Sequence, residues 1–324
     1  MGFLKRYWGS LRRLRFLHWL YNLTKYGKLK GNKELYAKYG IDKSVVSSVS
    51  HRDISNPGKD IPWLDRPDAE ERLTTENQQL NTFPTQWQEQ LKQWPVRGLM
   101  ILENFAPKEL CDKINADTTS IITEKKLDFD YTNSRVMNAW KASTEIRSII
   151  KDKKLIDFLS FTLGEEVIPF QTISFQKGSR QKTHSDFIHM TTEPVGYLIA
   201  TWMALEDISI DSGPLHYYPG SHKLPYILGE DFDHDSNAIS VGDDLYGNYE
   251  KEIAKLIEEK KLKKEIFLAK KGDLLVWHAN LLHGGEAVTN ENSSRKSLVT
   301  HYYCKGEVLC YHEITQRPAV IEEI

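Results

Sequence analysis

From Val167 onward the chain alternates between short apolar segments and turn residues, and this pattern constrains the fold more than any other feature. The apolar segments lie at about residues 168–176, 196–205, 213–218, 266–269, 273–278 and 297–303. Strands of this length and spacing are typical of a β-sandwich or a β-barrel. We therefore expect a mainly β fold.

Helices are expected to flank the strands. Helical periodicity predicts helices over residues 85–94, where Pro95 should end the first one, then over 107–126 and 144–163. The length of 324 residues allows one large domain with extensions. We expect residues 1–84 to form an extension, with a basic helix over 1–35 and an irregular polar segment after it, and residues 85–324 to form the main domain.

An insertion at residues 226–265 interrupts the series of strands. Its first half is acidic and loop-like, and residues 250–264 are rich in Lys and Glu and are predicted to be helical. Long loops beside a site often carry substrate recognition, so this insertion is a candidate for that role. The alternative is a solvated lid or rim loop.

Three polar residues within the strand region form a candidate metal site. His184 and Asp186 are two positions apart, so on an extended segment both side chains point to the same side. His283 would then come from another strand that the fold brings alongside, although the nearby His278 is an alternative third ligand. Two imidazoles and one carboxylate leave half of an octahedral metal sphere vacant, which is how non-haem Fe(II) oxygenases hold iron.

A basic residue follows the distal histidine. Arg295 and Ser297 would face the same way on a strand, and a guanidinium with a hydroxyl suits a carboxylate ligand. The alternative is a surface arginine after a polar turn, and spacing alone does not separate the two interpretations. His189 is expected either to line the pocket or to sit on its rim.

Charge and cysteine content bear on partners and location. A net charge of -2 argues against nucleic acid as a partner. Three cysteines, an odd number without metal-ligand spacing, favour reduced thiols in a cytoplasmic protein. No signal peptide or spanning helix is expected, because arginines interrupt the apolar residues near the start of the chain.

The first 33 residues contain nine Lys or Arg and no acidic residue, interleaved with aromatic side chains. This composition predicts either peripheral contact of residues 1–33 with an anionic membrane or a helix packed on the domain with its basic face in water.

Several motifs, in this order, resemble the phytanoyl-CoA dioxygenase family of Fe(II)/2-oxoglutarate oxygenases. They lie at residues 97–110, at the His-x-Asp segment 183–186, at 201–207, at 211–215, at Tyr-Pro-Gly-Ser-His 218–222, at 271–278, at Leu-His-Gly-Gly 282–285 and at Arg-Lys-Ser 295–297. The similarity spans about residues 88–305. Residues 1–84 and the insertion lie outside it.

The resemblance implies a double-stranded β-helix core, also called a jelly-roll or cupin-like core. It implies the following site residues: His184, Asp186 and His283 as iron ligands, Arg295 on the distal carboxylate of 2-oxoglutarate with help from Ser297, Trp202 beside the co-substrate and Gln171 in contact with it. The implied cofactors are Fe(II), 2-oxoglutarate and O2.

The implied reaction is hydroxylation of an unactivated C–H bond in a small or lipid-linked substrate, and a sugar acid of a lipopolysaccharide precursor is the most specific expectation. Two other classes of function stay open at this point. One is a cupin-like metal-binding protein that does not activate O2. The other is a peripheral membrane interaction protein with a vestigial site.

Overall fold

The structure, a computed structural model, describes residues 13–75, 77–127, 135–322 and 324. Its strands within these residues are β1 (Leu99–Leu102), β2 (Arg135–Met137), β3 (Val167–Phe175), β4 (Thr191–Glu193), β5 (Leu198–Ala204), β6 (Leu215–Tyr217), β7 (Glu265–Phe267), β8 (Leu274–His278), β9 (His283–Gly285), β10 (Ser297–Cys304), β11 (Leu309–His312) and β12 (Arg317–Pro318). Six of them form one antiparallel sheet in the order β1-β8-β5-β10-β3-β2. Two three-stranded antiparallel sheets, β7-β6-β9 and β12-β11-β4, complete the β-structure, so the prediction of a mainly β fold is confirmed.

Helices precede β1 and also lie between β1 and β2, between β2 and β3, and between β6 and β7. They are α1 (Arg15–Leu23), α2 (Tyr26–Leu29), α3 (Asn32–Lys38), α4 (Ala69–Thr75), α5 (Asn77–Leu80), α6 (Thr85–Arg97), α7 (Lys108–Thr123), α8 (Thr144–Ile150), α9 (Lys153–Leu163), α10 (Gly229–Phe232) and α11 (Leu245–Glu259). Apolar side chains of α6 to α9 pack on one face of the six-stranded sheet and build the largest core cluster.

The two faces of the six-stranded sheet have different partners because side chains alternate along a strand. On β5, Ile199 and Met203 face the helices, whereas Ala200 and Trp202 face the sheet β7-β6-β9. His301 pairs with Ala200 across β10 and β5, so its side chain also lies on the inner face. The inner face between the two sheets therefore positions the polar residues of the site.

Two helix predictions were wrong in detail. Helix α6 continues through Pro95 to Arg97, because a proline in the last turn removes only one intrahelical hydrogen bond. The helix ends at Gly98, whose φ of +69° is left-handed, and a Cβ at this position would lie 2.4 Å from the His222 ring. The single helix expected over 144–163 is two helices, because Asp152 accepts a hydrogen bond from the Leu155 amide at 2.9 Å and starts α9.

The N-terminal part of the chain packs on the core. Residues 1–12 of the predicted basic helix lie outside the described residues, and the remainder forms the short helices α1 to α3 rather than one helix. Buried Tyr36, Val46 and Tyr311 belong to one cluster that joins this part of the chain to β11. Helices α4 and α5 lie in the segment that was expected to be irregular, and α11 begins at Leu245, earlier than predicted. The domain boundary at residue 84 stays a prediction.

In the described ranges, no helix has the length and apolar character that a membrane crossing requires. The three cysteine thiols, Cys111, Cys304 and Cys310, are unpaired and buried.

Candidate metal centre

A backbone bridge sets His184 beside His283. Each residue donates its amide N–H to the carbonyl oxygen of the other at 2.9 Å, in antiparallel fashion. Residues paired in this way place their side chains on the same side of the sheet, and the two imidazole rings lie with centroids 4.6 Å apart. Asp186 follows at the start of a short 3-10 helix, Asp186–Ile188. One ligand atom from each of the three buried side chains lies within 4.8 Å of the others.

The backbone carbonyl contacts of the two imidazoles leave Nε2 of each ring facing the candidate metal position, where Nε2 of His184 also lies 3.1 Å from the side-chain nitrogen of Gln181. The Nδ1 atom of His184 lies 2.8 Å from the Lys182 carbonyl oxygen, and the Nδ1 atom of His283 lies 2.9 Å from the Leu281 carbonyl oxygen. A carbonyl oxygen only accepts, so both Nδ1 atoms carry the proton and both Nε2 atoms present a lone pair. The Nε2 atoms lie 3.8 Å and 3.6 Å from Oδ1 of Asp186. This donor set suits Fe(II) or Mn(II).

The second oxygen of the Asp186 carboxylate is held by neighbours from other strands. Trp277 of β8 donates its indole N–H to Oδ2 at 2.8 Å, and Nε2 of His301 lies 3.4 Å from the same oxygen. These contacts leave Oδ1 facing the two imidazoles. Trp277 and His301 therefore orient the carboxylate, as outer partners of metal ligands commonly do.

Burial and charge set the protonation states of the three candidate ligands. Burial lowers the pKa of His184 to about 4, with a further lowering from the His283 imidazole, and burial also lowers the pKa of His283. Burial alone would raise the pKa of Asp186, but the imidazoles of His283 and His301 outweigh it and hold that pKa well below its usual range. Neutral imidazoles and an ionised carboxylate are the states that bind a metal ion.

Metal affinity is expected to stay nearly constant as the pH falls from about 8 to about 6, because His184 takes up a proton only near its lowered pKa of about 4. Ordinary imidazoles with a pKa of about 6.5 would lose affinity over this range. The depressed pKa also means that the protein without metal loses stability as the pH falls below about 6.5, since the unfolded chain then binds more protons. Calorimetric titration with Co(II) at a series of pH values measures the affinity, and about a tenfold loss between pH 7 and 6 would contradict this expectation.

A Trp277→Phe variant is expected to bind iron about 10- to 100-fold more weakly than the wild type, because the Asp186 carboxylate loses a hydrogen bond that orients it. Trp94→Phe is the matched control, since Trp94 is equally buried, packs in the helix-side core and has an indole nitrogen without a partner. Equal losses in both variants would point to general destabilisation and not to carboxylate orientation.

A buried arginine shares a cavity with the candidate metal centre. Arg295 is 2% exposed, and its guanidinium lies over the rings of Phe175 at 5.4 Å and Trp202 at 5.8 Å. Burial lowers the pKa of Arg295 to about 10, so the side chain stays charged at neutral pH. Its Nε atom lacks a hydrogen-bond partner, and no carboxylate in the described part of the chain pairs with it. Because an unpaired buried charge is costly, the arginine fits the carboxylate of a bound ligand such as 2-oxoglutarate.

The cavity has a volume of about 70 Å³. Its lining includes His184, Asp186, His283, Trp202, Trp277, Arg295 and His301. Gly284 leaves room at the wall, because a Cβ there would lie 2.9 Å from the Gln181 carbonyl oxygen and from the His216 ring.

The other residues expected at the site lie at different depths. Ser297 is buried at the start of β10 and its hydroxyl has no hydrogen-bond partner, but it does not line the cavity. Gln171 faces a wider outer cleft and not the cavity of Arg295. His278 lies away from the triad, with its Nε2 atom 2.9 Å from an oxygen of Asp65. The structure thus groups His283, and not its rival His278, with His184 and Asp186.

The outer cleft has a volume of about 970 Å³ and opens onto the candidate metal centre through His184 and Asp186. Helix α11 of the insertion contributes Tyr246 and Glu250 to its wall. The Tyr246 hydroxyl lies 3.2 Å from the side-chain nitrogen of Gln181, so the insertion borders the site directly. His189, which was expected at the pocket or on its rim, also lines this cleft.

Sequence reasoning missed two residues at the centre, Trp277 and His301. His301 was not among the residues expected at the site, and its side chain reaches the Asp186 carboxylate. The sequence did contain a signal for His301. Side chains alternate along β10, so Ser297, Val299 and His301 lie on the same face of the strand.

Comparisons with known proteins match the same part of the chain. The family model "Phytanoyl-CoA dioxygenase (PhyH)" matches residues 96–297. The peroxisomal phytanoyl-CoA dioxygenase of Homo sapiens is 22% identical over 244 residues, which cover 66% of this chain and 67% of that protein.

Two solved structures are similar in fold. The non-heme alpha ketoglutarate dependent carbocyclase SnoK from nogalamycin biosynthesis has a TM-score of 0.57 at 15% identity, covering 75% of this chain and 95% of that one. The epimerase SnoN in complex with Fe3+, alpha ketoglutarate and nogalamycin RO has a TM-score of 0.54 at 15% identity, covering 70% and 86%. This likeness confirms the predicted jelly-roll core.

Proposed function

Because this chain belongs to the phytanoyl-CoA dioxygenase family of Fe(II)- and 2-oxoglutarate-dependent oxygenases, we propose that it hydroxylates an unactivated C–H bond of an organic substrate. One observation carries the proposal for this chain's own residues. The three candidate metal ligands line the same cavity as the buried Arg295, which pairs with no carboxylate among the described residues.

Each residue has a role in this proposal. His184 and His283 bind iron through Nε2 and Asp186 binds it through Oδ1, while the Trp277 indole keeps the carboxylate turned toward the metal. Arg295 binds the distal carboxylate of 2-oxoglutarate through its planar guanidinium. With O2, the bound iron and 2-oxoglutarate supply the oxidising chemistry, which yields succinate, CO2 and an alcohol.

The protein contributes orientation and exclusion of water. Trp202 and Phe175 enclose the Arg295 guanidinium, and its burial at 2% exposure strengthens its attraction for a carboxylate because bulk solvent screens it little. Tyr246 of the insertion and His189 line the outer cleft beside His184. In the proposal these two side chains position the substrate C–H bond next to the metal.

The outer cleft can admit an organic substrate of substantial size. Its volume of about 970 Å³ lies at the upper end of the range of about 300–1,000 Å³ that drug-sized ligands occupy. We propose that the substrate is lipid-linked and is met by an intracellular protein at the inner face of a membrane. A sugar acid of a lipopolysaccharide precursor is the most specific substrate of this kind and stays a prediction.

The two other classes fit these observations less well. A metal-binding protein without oxygen chemistry does not need a buried cation such as Arg295 in its metal cavity. A vestigial site would not be expected to keep three converging ligands with their hydrogen-bond partners.

An anaerobic titration followed by exposure to air tests the proposal. Fe(II) and then 2-oxoglutarate are added to the purified chain, and a visible metal-to-ligand charge-transfer band is expected. After O2 is admitted, succinate should form in proportion to 2-oxoglutarate consumed, and a bulky lipid-linked substrate should accelerate its release. Folded protein that binds Fe(II) but gives no band with 2-oxoglutarate would overturn the proposal.

A further inference from the structure

Helix α1 exposes its apolar side and buries its polar side. The residues that face the protein are His18 and Asn22, at 4% and 2% exposure, and Asn22 donates a hydrogen bond to the Val46 carbonyl oxygen at 2.9 Å. The outward residues form what we call the N-terminal apolar patch: Phe16, Leu17, Trp19, Leu20, Tyr21, Leu23 and Tyr26. A helix that only packs on its domain shows the opposite arrangement.

The patch is unusual for this molecule. In the described part of the chain, the other exposed large apolar side chains form no run of this length: Val96, Ile210, Ile239, Ile266 and Leu268. Phe16, the most exposed member of the patch at 65%, stacks on Trp19 with ring centroids 6.2 Å apart. A contiguous group of this kind marks a surface that is covered by another apolar phase or molecule.

Basic residues lie near the patch in the sequence. Lys30 and Lys33 are exposed and pair with no carboxylate among the residues the structure describes, and Lys25 lies 5.9 Å from the Tyr21 ring. Residues 1–33 contain no acidic side chain, and the first one is Glu34, directly after Lys33. An exposed apolar and aromatic face beside unpaired lysines is complementary to the surface of an anionic lipid bilayer, where aromatic rings sit at the headgroup level and lysines meet lipid phosphates.

We propose that the N-terminal apolar patch docks on an anionic lipid surface. The patch lies in the interfacial region of the bilayer, with the axis of α1 along the membrane plane. The docking itself does not depend on the proposed function. Only its biological role rests on that function, because a lipid-linked substrate is met at such a surface.

The patch is joined to the part of the chain that borders the outer cleft. Leu14 pairs with Ser240 in an antiparallel bridge, and Arg13 forms an ion pair with Asp243 at 2.9 Å. The next residue, Asp244, accepts a hydrogen bond from the Gly247 amide and caps α11, the helix that supplies Tyr246 to the cleft. Docking of the patch thus holds the cleft-lining helix near the membrane.

Vesicle co-sedimentation of the full chain tests the docking proposal. Vesicles of phosphatidylcholine mixed with phosphatidylserine are compared with vesicles of phosphatidylcholine alone, at low and high NaCl. The wild type is expected to bind the anionic vesicles, and binding should weaken with salt. A Trp19→Ser/Leu20→Ser variant should bind these vesicles at least about tenfold more weakly than the wild type, because two apolar side chains no longer enter the bilayer.

Matched controls distinguish docking through the patch from nonspecific hydrophobic adsorption to vesicles. An Ile210→Ser/Leu268→Ser variant removes two apolar side chains outside the patch that are more exposed than Trp19 and Leu20, and it should bind like the wild type. A Lys30→Glu/Lys33→Glu variant should bind anionic vesicles about tenfold more weakly.

Three results would overturn the docking proposal: no binding of the wild type to anionic vesicles, an equal loss in the Ile210→Ser/Leu268→Ser control, or a dimer by light scattering that Trp19→Ser/Leu20→Ser dissociates. The dimer would mean that a second copy covers the patch. Sedimentation requires neither iron nor substrate, and a His184→Ala variant should sediment like the wild type. Failure of docking and failure of the oxygenase proposal are therefore distinguishable.

Discussion

Replacement of His283 by alanine is expected to lower the rate of succinate formation by about a thousandfold or more, because loss of one of three ligands removes several kcal/mol of metal-dependent stabilisation. The Fe(II) affinity should fall with it. The side chain is buried and its Nδ1 atom is bound to the Leu281 carbonyl oxygen, so its Nε2 atom has the metal as its natural partner. Succinate release and anaerobic Fe(II) binding are the two measurements.

His278→Ala is the matched control for this prediction. His278 is also buried and lies only a few residues earlier, but its Nε2 atom faces Asp65. The control should keep its Fe(II) affinity even if its melting temperature falls. If His278→Ala loses iron and His283→Ala retains it, the ligand assignment is wrong.

Replacement of Arg295 by methionine is expected to raise the dissociation constant for 2-oxoglutarate by about 30-fold or more, since removal of one partner of a buried charged pair costs about 2–5 kcal/mol. Methionine keeps apolar contact with Phe175 and Trp202 and removes the unpaired charge, so the folded protein should not become less stable on that account. The charge-transfer band, titrated with 2-oxoglutarate under anaerobic conditions, gives the dissociation constant.

Two further variants sharpen the Arg295 test. Arg295→Lys keeps the charge without the planar fork and should give an intermediate loss of affinity. Arg147→Met is the matched control, because the Arg147 guanidinium also lies over an indole ring, that of Trp140 at 5.8 Å, but on the exposed surface. Wild-type affinity for 2-oxoglutarate in Arg295→Met would show that another group binds the carboxylate.

The sequence predicted those structural features that depend only on residues close together in the chain. Alternating apolar residues and turn punctuation predicted β5, β8 and β10 to within a few residues. The spacing of His184 and Asp186 predicted that both side chains share a direction. Helix ends were harder, as at Pro95, because a proline near the end of a helix costs little.

The outer partners of the candidate ligands were not readable in the same way. Trp277 and His301 reach the Asp186 carboxylate only because β8, β5 and β10 lie side by side in one sheet. Strand order and register depend on contacts between distant segments, and periodicity along one segment carries no information about its neighbours.

The orientation of α1 on the protein surface was likewise not predictable from its own sequence. Its residues predicted an amphipathic basic helix and left open which face meets water. Hydrogen bonds from distant segments, such as that between Asn22 and the Val46 carbonyl, turn the polar face inward and leave the apolar face exposed. Composition and periodicity thus determined the strands, the ligand types and the amphipathic helix. Long-range packing determined which of these residues meet, because the free energy of packing depends on neighbours in space and not on neighbours in the chain.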